Sequence, residues 1–373
     1  METVLRHQCE SLLDRGHEVT ALVAGTEAGD RYERLGPTAT GAVGRLIRAG
    51  ALAVCNSQPL TPSLPLLLRR ELKLHSPDIV HLHLPNPGAC GAWLAIQIGL
   101  SDAAGASCLA VWYHADITRQ RLGRILVGPL VRSCLARATG ISVSSAALRD
   151  HSDILAPWRQ KVAVIPFGIA AQEWENIDST ADGPFLFVGR LVYYKGLFTL
   201  LAAVARVPGA ELVIVGDGPL RHALGRQIHR EGLATRVRLV GELSTSALRD
   251  TMSKVRALVL PSSEESETFG LVQLEAMAAG LPVVSTELPT GVAEVTEDGV
   301  TGRIVPPEDL DALTMALAQL QKDTKLAKSW GEAGRQRVRN LFRREGMAAK
   351  LESWYAALLD RDTAAVGPDA ADH

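Results

Sequence analysis

Short apolar runs alternate with longer amphipathic segments along most of this chain. The apolar runs that predict strands in the first half are 17–24, 78–84, 107–114, 139–145 and 161–167. Those in the second half are 185–190, 211–216, 237–241, 257–262 and 282–286. Strands that alternate with helices are typical of parallel sheets covered on both faces. The pattern therefore predicts an α/β protein with two doubly wound domains.

A polar segment punctuated by glycine, 169–183, separates the two halves and predicts a hinge. We place the first domain at 1–168 and the second domain at 184–345. An amphipathic helix is predicted at 346–360, and the tail 361–373 lacks apolar periodicity, which predicts disorder. A length of 373 residues suits two domains of ordinary size.

The beginning of the chain departs from this pattern. Glu2 to Arg15 has helical periodicity, Gly16 ends the predicted helix, and the strand 17–24 follows. A doubly wound domain ordinarily opens with a strand and a glycine-bearing turn before its first helix. We therefore expect a first strand and turn to be missing before Met1, through a start codon placed too late or a truncated gene. Reading the upstream genomic DNA tests this hypothesis.

Composition and charge exclude several classes of function. Apolar residues make up 47% of the chain and charged residues 21%, as in ordinary globular proteins. A net charge of −2 gives no general attraction to nucleic acid, so we expect no such partner. The five cysteines form no CxxC pair, which predicts neither a disulfide framework nor a zinc site. With no apolar run of about 18 residues and no signal-peptide core, we expect a cytoplasmic protein, at most peripheral at the inner face of the plasma membrane.

The segment from Ala257 to Ser285 carries the strongest candidate chemistry. It reads as an apolar strand, a polar loop, a helix and a second apolar strand. In such a unit the loop lies at the carboxyl edge of a parallel sheet, where ligands of open α/β folds bind. The N–H groups of Phe269, Gly270 and Leu271 then lie at the positive end of the helix, which predicts an anion-binding site.

Two carboxylates flank this helix start. Glu267 in the loop can accept hydrogen bonds from hydroxyls near the anion, and Glu275 can reach a different part of the same ligand. The combination indicates a sugar-nucleotide site. Alternatives remain open, because acidic residues near a helix start also offset the helix dipole, by about 0.3–1 kcal/mol each, and Glu275 also suits a partly exposed flank of the helix.

Two cations and a glycine turn extend the candidate site. Arg190 ends the predicted strand 185–190 and Lys195 lies near the next helix start, so both can neutralise a diphosphate. A pair of solvated surface charges is the alternative. Gly216 opens a GDG turn, which indicates a tight strand-to-helix connection near a ligand but lacks the rest of the dinucleotide fingerprint.

Histidines and a basic stretch in the first half are weaker candidates. His114 and Asp116 follow a strand, although a lone histidine is more often a satisfied polar residue than a catalyst. We expect His81 and His83 to point to opposite sides of their strand, which fits no metal pair, so no metal site is predicted. The basic amphipathic stretch Arg119–Arg137 suits contact with anionic lipid or a lipid-diphosphate acceptor, with a solvated helix face as the alternative.

Four motifs occur in a fixed order: VGRLVYYKG, VGDGPL, PSSEESETFGLVQLEAMAAGLPVV and EDGVTGRIVPPED. Together they resemble the retaining family 4 glycosyltransferases, which have the GT-B fold, and the resemblance covers nearly the whole chain. It implies two Rossmann-like domains that face each other across a cleft, with the nucleotide sugar held mainly by the second domain. It also implies catalysis without a metal or cofactor.

The resemblance further implies a role for each candidate residue. The roles are diphosphate binding for Arg190 and Lys195, contact with the transferred sugar for Glu267, ribose binding for Glu275, backbone N–H donation for Phe269, Gly270 and Leu271, and a place beside the reacting sugar for His114. The implied chemistry is cleavage through an oxocarbenium-like state with attack from the same face.

The motifs YYKG, YHADI and LPTGV resemble bacterial transferases of O-antigen or exopolysaccharide assembly, many of which use GDP-mannose. The resemblance thus implies a hexosyltransferase that moves mannose to a lipid-linked or saccharide acceptor, while glucose or another hexose from a UDP donor stays open. A catalytically impaired sugar-nucleotide-binding or partner subunit is the alternative that the missing first strand suggests. A sugar-nucleotide epimerase of GT-B architecture is a third.

Overall fold

The structure, a computed structural model, describes residues 2–55, 58–99, 108–116, 121–175, 177 and 182–365. The chain divides into two compact units. The first unit contains residues 1–144, 149–165 and 344–373, and the second contains residues 145–148 and 166–343. Both units combine strands with helices, as the alternating pattern predicts.

The described residues before 166 contain nine strands and five α-helices. The strands are β1 Thr20–Ala24, β2 Arg31–Leu35, β3 Gly44–Ala49, β4 Ala53–Cys55, β5 Gln58–Leu60, β6 Ile79–Leu84, β7 Cys108–Tyr113, β8 Gly140–Val143 and β9 Val162–Val164. The helices are α1 Glu2–Asp14, α2 Leu64–His75, α3 Pro87–Gly99, α4 Arg121–Arg137 and α5 Ala146–His151.

The first unit contains both parallel and antiparallel strands. The strands β6, β7, β8 and β9 are parallel, as predicted, and they form one sheet in that order. Before it, β1 pairs with β3 in parallel, but β2 and β3 are antiparallel, and β4 and β5 form an antiparallel hairpin. The expectation of wholly parallel sheets was therefore wrong between residues 31 and 60. The sequences RYERL and GRLIRA escaped prediction because charged side chains interrupt their apolar runs.

The described residues after 165 contain six strands and eight α-helices. The strands are β10 Phe185–Val188, β11 Leu212–Val215, β12 Val237–Gly241, β13 Ala257–Leu260, β14 Val283–Thr286 and β15 Gly302–Val305. The helices are α6 Leu197–Arg206, α7 Arg221–Arg230, α8 Thr245–Met252, α9 Leu271–Ala278, α10 Gly291–Val295, α11 Leu310–Lys322, α12 Thr324–Leu341 and α13 Arg344–Ala365.

The second unit has one six-stranded parallel sheet in the order β12-β11-β10-β13-β14-β15. The strands β11, β13 and β14 are buried at every position, which explains their uninterrupted apolar sequences. The chain proceeds outward from β10 to β12 and then returns to the other side of β10 for the remaining strands. The order thus reverses between β10 and β13. In doubly wound sheets, ligands bind at the carboxyl edge beside such a reversal.

Helix α6 shows how sequence spacing builds this unit. Its side chains at 197, 200, 201 and 204 form a fully buried apolar stripe in the core that also contains Phe185, Phe187 and Ile214 of the sheet. Burial of one such side chain contributes about 1.5–3 kcal/mol. The stripe fixes the first turn of α6, and with it the loop that carries Lys195.

The last helix differs from the predicted span 346–360. Helix α13 continues to Ala365, so residues 361–365, which the sequence predicts as an irregular tail, are helical. This part of the chain contains two alanines and neither glycine nor proline, so nothing stops the helix earlier. Residues 366–373 of the predicted tail lie outside the described residues.

The unit boundaries also differ from the predicted ones. Helix α13 belongs to the first unit, where Leu358 lies so close to Gly140 of β8 that an added Cβ would be 2.5 Å from Leu358 Cδ2. Residues 169–175 of the predicted hinge belong to the second unit, and Ile169 N–H donates to the Phe342 carbonyl at 2.9 Å. Residues 176 and 178–181 lie outside the described part of the chain, and the hinge stays a prediction.

Glycine allows two loops of the second unit to meet backbone to backbone. Gly196 has φ +64°, and a Cβ at this position would lie 1.9 Å from the Pro261 carbonyl oxygen. No side chain fits there. The close approach joins the loop after β10 to the loop after β13.

We expect Gly196→Ala to lower the free energy of unfolding by about 2–4 kcal/mol, because the strain of positive φ adds to overpacking. Gly232→Ala is the matched control, since Gly232 has φ +68° but no heavy atom within 4 Å of an added Cβ. This control should lose only about 1 kcal/mol. Urea unfolding followed by circular dichroism measures both, and equal losses would contradict the close approach.

Candidate active site

The two predicted phosphate-binding cations both follow β10 but differ in exposure. Arg190 is exposed, whereas Lys195 is buried at the end of a single turn of 3-10 helix. Between them Leu191 is fully buried, and its N–H donates to the Asp217 carbonyl at 2.8 Å. Lys195 is therefore not a solvated surface charge, whereas the exposed Arg190 still fits that alternative.

Lys195 forms a buried ion pair with Glu267. The Nζ atom donates to Glu267 Oε2, and each side chain is only 11% exposed. Lys195 Nζ also lies 5.6 Å from the centre of the Tyr194 ring. A buried pair of this kind is sensitive to the loss of either partner, because the remaining charge then stays desolvated and uncompensated. Adjacent strands β10 and β13 supply the two loops that bring these residues together.

The loop that carries Glu267 is held by hydroxyl groups. Ser262 Oγ donates to Glu267 Oε2 at 3.0 Å, and Thr290 Oγ1 donates to the Glu267 carbonyl at 2.8 Å. Gly291 N–H donates to the Thr268 carbonyl at 2.9 Å. The segment after β14 thus holds the loop after β13 in position through these hydrogen bonds. Sequence reasoning missed Ser262 and Thr290, although both lie inside motifs that it singled out.

Helix α9 begins at the predicted anion-binding loop. Gly270 precedes the helix with φ +70°, and the buried Phe269 ring packs edge-on against Phe167 at 5.1 Å. The buried Gln273 amide donates to the Phe269 carbonyl at 3.1 Å. The first N–H groups of a helix have no carbonyl partner within it, and they carry the positive end of its dipole. Leu271 is the first residue of the helix. The helix start is therefore rigid and suited to an anion.

Glu275 lies one turn further along α9 and is partly buried. Burial raises the pKa of its carboxyl group from 4.5 to about 7, and the negative charge of Glu173 adds to this effect. The surroundings of Glu275 therefore disfavour the negative charge of its carboxylate. Hydroxyl donors from a ligand would stabilise the ionised form.

Gly216 connects the turn after β11 to the turn after β10. It has φ +126°, and a Cβ there would lie 2.0 Å from the Gly189 carbonyl oxygen. The turn after β11 therefore needs glycine at position 216, because its backbone lies against the Gly189 carbonyl group. All candidate donor-binding residues therefore lie on loops at the carboxyl ends of β10, β11 and β13 or on the first two turns of α9.

In the first unit, His114 follows β7 and is buried. Its Nε2 lies 2.9 Å from His83 Nδ1, and its backbone N–H donates to the Leu84 carbonyl at 2.8 Å. Burial lowers the pKa of His114 well below 6.5, and the neighbouring His83 adds to this effect. At neutral pH the imidazole is therefore uncharged.

The expectation for the other two histidines was wrong. His81 and His83 leave β6 on the same face, and their ring centres are 4.9 Å apart. Residues two apart on a strand share a face, so the spacing alone allows this arrangement to be predicted. His81 Nδ1 shares a hydrogen bond of 2.6 Å with the Tyr355 hydroxyl. Asp116 also has local partners, because its Oδ1 accepts from the Tyr113 hydroxyl at 2.8 Å.

Among the residues that the structure describes, no group of three or more histidine, cysteine, aspartate or glutamate side chains could hold a metal ion. The metal-free reaction stays a prediction. Among the described helices, none is long and apolar enough to cross a membrane. Of the basic stretch, residues 119 and 120 lie outside the described part, whereas Ile125, Arg132 and Arg137 are exposed on α4.

The raised pKa of Glu275 predicts that Glu275→Gln stabilises the protein at pH 8. Between about pH 4.5 and 7 the unfolded carboxyl group loses its proton while the folded one retains it. This residue therefore lowers the free energy of unfolding progressively across that window, by about 3 kcal/mol once pH exceeds 7. Glutamine cannot ionise and removes the penalty.

Thermal unfolding of both proteins at pH 4.5 and pH 8 measures this effect. We expect equal melting temperatures at pH 4.5 and a higher one for the variant at pH 8. Glu287→Gln serves as control, because Glu287 is exposed and should show no such difference. Equal melting temperatures of wild type and Glu275→Gln at pH 8 would contradict the raised pKa.

The chain matches the models of two known protein families. The family model for group 1 glycosyl transferases matches residues 172–337, and that for glycosyltransferase family 4 matches residues 1–173. The O-antigen chain mannosyltransferase C of Escherichia coli is 32% identical over 293 residues, which cover 76% of each chain. The D-rhamnosyltransferase WbpZ of Pseudomonas aeruginosa is 34% identical over 283 residues, 73% of this chain and 71% of the relative.

The fold has a close counterpart among solved structures. The sucrose-phosphate synthase of Thermosynechococcus elongatus superposes with a TM-score of 0.79 at 23% identity, over 96% of this chain and 93% of the other. The predicted GT-B class, with its Rossmann-like domains, is confirmed. The chain therefore belongs to the family 4 glycosyltransferases and is an enzyme that transfers a sugar in polysaccharide biosynthesis.

Proposed function

We propose that this enzyme is a retaining hexosyltransferase that moves mannose from GDP-mannose to a lipid-linked or saccharide acceptor in cell-surface polysaccharide synthesis. The observation that carries the proposal is the buried pair of Lys195 and Glu267 at the strand-order reversal. It joins a cation suited to a phosphate group with a carboxylate suited to sugar hydroxyls. A nucleoside-diphosphate sugar presents a phosphate group and sugar hydroxyls side by side.

Donor binding exchanges the partners of this pair. The diphosphate pairs with the Lys195 ammonium, and sugar hydroxyls donate hydrogen bonds to Glu267. Each buried group thus replaces one polar partner with another. The exposed Arg190 can add a planar, two-pronged contact to the same diphosphate. Neither charge of the pair is left desolvated and alone.

Helix α9 supplies the rest of the donor contacts. The N–H groups of Phe269, Gly270 and Leu271 donate to sugar and phosphate oxygens at the positive end of the helix. Glu275 accepts from the ribose hydroxyls, which restores hydrogen bonds to a carboxylate that burial otherwise disfavours. Gly216 lets the turn after β11 approach this side of the sheet.

The chemical step breaks the bond between the anomeric carbon and a diphosphate oxygen. Arg190, Lys195 and the N–H groups at the α9 start stabilise the charge that develops on the leaving diphosphate, and the sugar passes through an oxocarbenium-like state. The acceptor hydroxyl attacks from the same face, and its proton goes to a leaving phosphate oxygen, so the anomeric configuration is retained. His114 acts beside the transferred sugar as a neutral imidazole.

The names of the two relatives support a donor of manno configuration. One relative is named for mannose and the other for D-rhamnose, which is 6-deoxymannose. Both sugars have an axial 2-hydroxyl group. A glucosyl donor, in which that group is equatorial, is the alternative that the donor screen below addresses.

Peripheral contact with anionic lipid is proposed for the exposed side of α4. Ile125 is 69% exposed there, and Arg132 and Arg137 are exposed on the same helix. An exposed apolar side chain beside cations suits the interface of an anionic bilayer. Such contact would bring the enzyme to a lipid-linked acceptor.

Sedimentation with vesicles of phosphatidylglycerol and phosphatidylcholine tests this surface. We expect Ile125→Ser combined with Arg132→Gln to reduce the vesicle-bound fraction several-fold. Leu66→Ser on α2 is the control, because Leu66 is likewise 69% exposed. Unchanged binding of the α4 variant, or loss only with Leu66→Ser, contradicts the proposal for α4.

A donor screen tests the proposed reaction. The purified enzyme is incubated with membranes and GDP-mannose, GDP-D-rhamnose or UDP-glucose, and the released nucleoside diphosphate is measured. We expect the highest kcat/KM with GDP-mannose and a product that retains the α configuration of the donor. The proposal would be contradicted if the enzyme turned over none of the three donors.

The ion pair gives a sharper test of the same reaction. Lys195→Met or Glu267→Gln should each lower kcat/KM at least about 100-fold and the free energy of unfolding by about 3–5 kcal/mol. The double variant leaves no unpaired charge, so it should regain most of the stability and none of the activity. As control, Arg206→Met breaks the exposed pair with Asp311 and should change stability by less than about 1 kcal/mol. An active double variant would exclude the proposed roles.

A further inference from the structure

His83 and His114 form a directly hydrogen-bonded imidazole pair in the first unit. The strands β6 and β7 pair in parallel, with His83 opposite Trp112. His114 is the first residue after the end of β7. His83 Nδ1 and His114 Nε2 lie 2.9 Å apart, and the two ring planes differ by 24°. Nothing in the family motifs assigns a role to His83.

The bond between these rings couples the tautomer of one ring to that of the other. Burial lowers the pKa of His83 to about 4 and that of His114 well below 6.5, so both imidazoles are neutral at pH 7. A neutral imidazole has one N–H and one lone pair. A hydrogen bond between two such rings therefore requires complementary tautomers. The nitrogen of His83 that carries the proton decides which nitrogen of His114 does.

The His83 ring is itself held on two sides. The indole of Trp112 lies parallel to it at a centre distance of 6.1 Å and an angle of 4°, and the His81 ring lies 4.9 Å away. His81 is in turn anchored by the Tyr355 hydroxyl at 2.6 Å. The ring that contacts His114 thus has little freedom to rotate. Supporting groups of this kind hold a reactive residue within a fraction of an ångström of its working position.

We propose that His83 is a positioning residue, which orients the His114 ring and selects its tautomer for contact with the transferred sugar. This inference rests on the proposed role of His114 in the sugar transfer. His83 acts through its Nδ1 atom and has no contact with the donor of its own. Its contribution belongs to the turnover number and not to donor affinity.

Three substitutions at His83 separate this role from simple packing. Asparagine places its amide group near the position of Nδ1, glutamine places it near Nε2, and phenylalanine keeps the ring without any nitrogen. We expect His83→Asn to keep kcat within about threefold of wild type. His83→Gln and His83→Phe should lower kcat about 10- to 100-fold, with less than about a threefold change in the donor KM.

Ser142→Ala provides the matched control. It removes a buried hydroxyl group from β8, opposite Trp112, where Ser142 Oγ donates to the Val111 carbonyl, but it leaves the bond between His83 and His114 intact. Its kcat should equal that of wild type. If this control loses as much kcat as His83→Phe, or if the asparagine and phenylalanine variants lose kcat equally, the positioning role is overturned.

Nitrogen-15 NMR of the histidines tests the bond without any donor. In wild type, the Nε2 and Nδ1 shifts of His114 should report a single tautomer, and His83→Phe should convert them to a mixture of two, whereas His83→Asn should not. An unchanged His114 spectrum in His83→Phe overturns the inference even if the transferase reaction is confirmed. A changed spectrum in a protein inactive with every donor would instead leave the bond established and the proposed function wrong.

Discussion

The buried pairing of Lys195 with Glu267 is the interaction on which the rest of the candidate site depends. It exists because the sheet order reverses between β10 and β13, so two loops far apart in the chain end at the same edge. The loop after β10 cannot move without the loop after β13, since Gly196 and Pro261 meet at a distance that only glycine allows. Hydroxyl groups of Ser262 and Thr290 then hold Glu267 in place. The pair is thus built into the framework of the second unit.

The site holds charges under conditions that disfavour them. Glu275 lies where burial raises its pKa to about 7, and Lys195 and Glu267 are desolvated together. Such groups contribute little to folding and are retained where a ligand supplies the missing partners. A donor with a diphosphate, sugar hydroxyls and a ribose carries suitable partners for all three. In the first unit, burial likewise favours the neutral form, so it lowers the pKa of His114 and of the histidines beside it.

The periodicity of the sequence predicts the second unit better than the first. Its fully buried strands appear as uninterrupted apolar runs, and Lys195, Glu267 and Glu275 lie at recognisable strand ends or helix starts. The pairing of Lys195 with Glu267 could not be predicted, because it depends on which strands are neighbours. The pKa of Glu275 depends in the same way on packing around α9. In the first unit, the hairpin of β2 and β3 was missed because its exposed face is charged, whereas His81 and His83 were misplaced through a wrong use of the strand period.

In the proposed reaction, a nucleoside-diphosphate sugar becomes the new partner of both Lys195 and Glu267. The most direct measurement is a crystal structure with GDP-mannose bound, read at the Lys195 ammonium and the Glu267 carboxylate. We expect Lys195 Nζ at about 3 Å from a diphosphate oxygen and Glu267 at a similar distance from a sugar hydroxyl. A bound donor whose diphosphate lies elsewhere, with Lys195 still paired to Glu267, would contradict it.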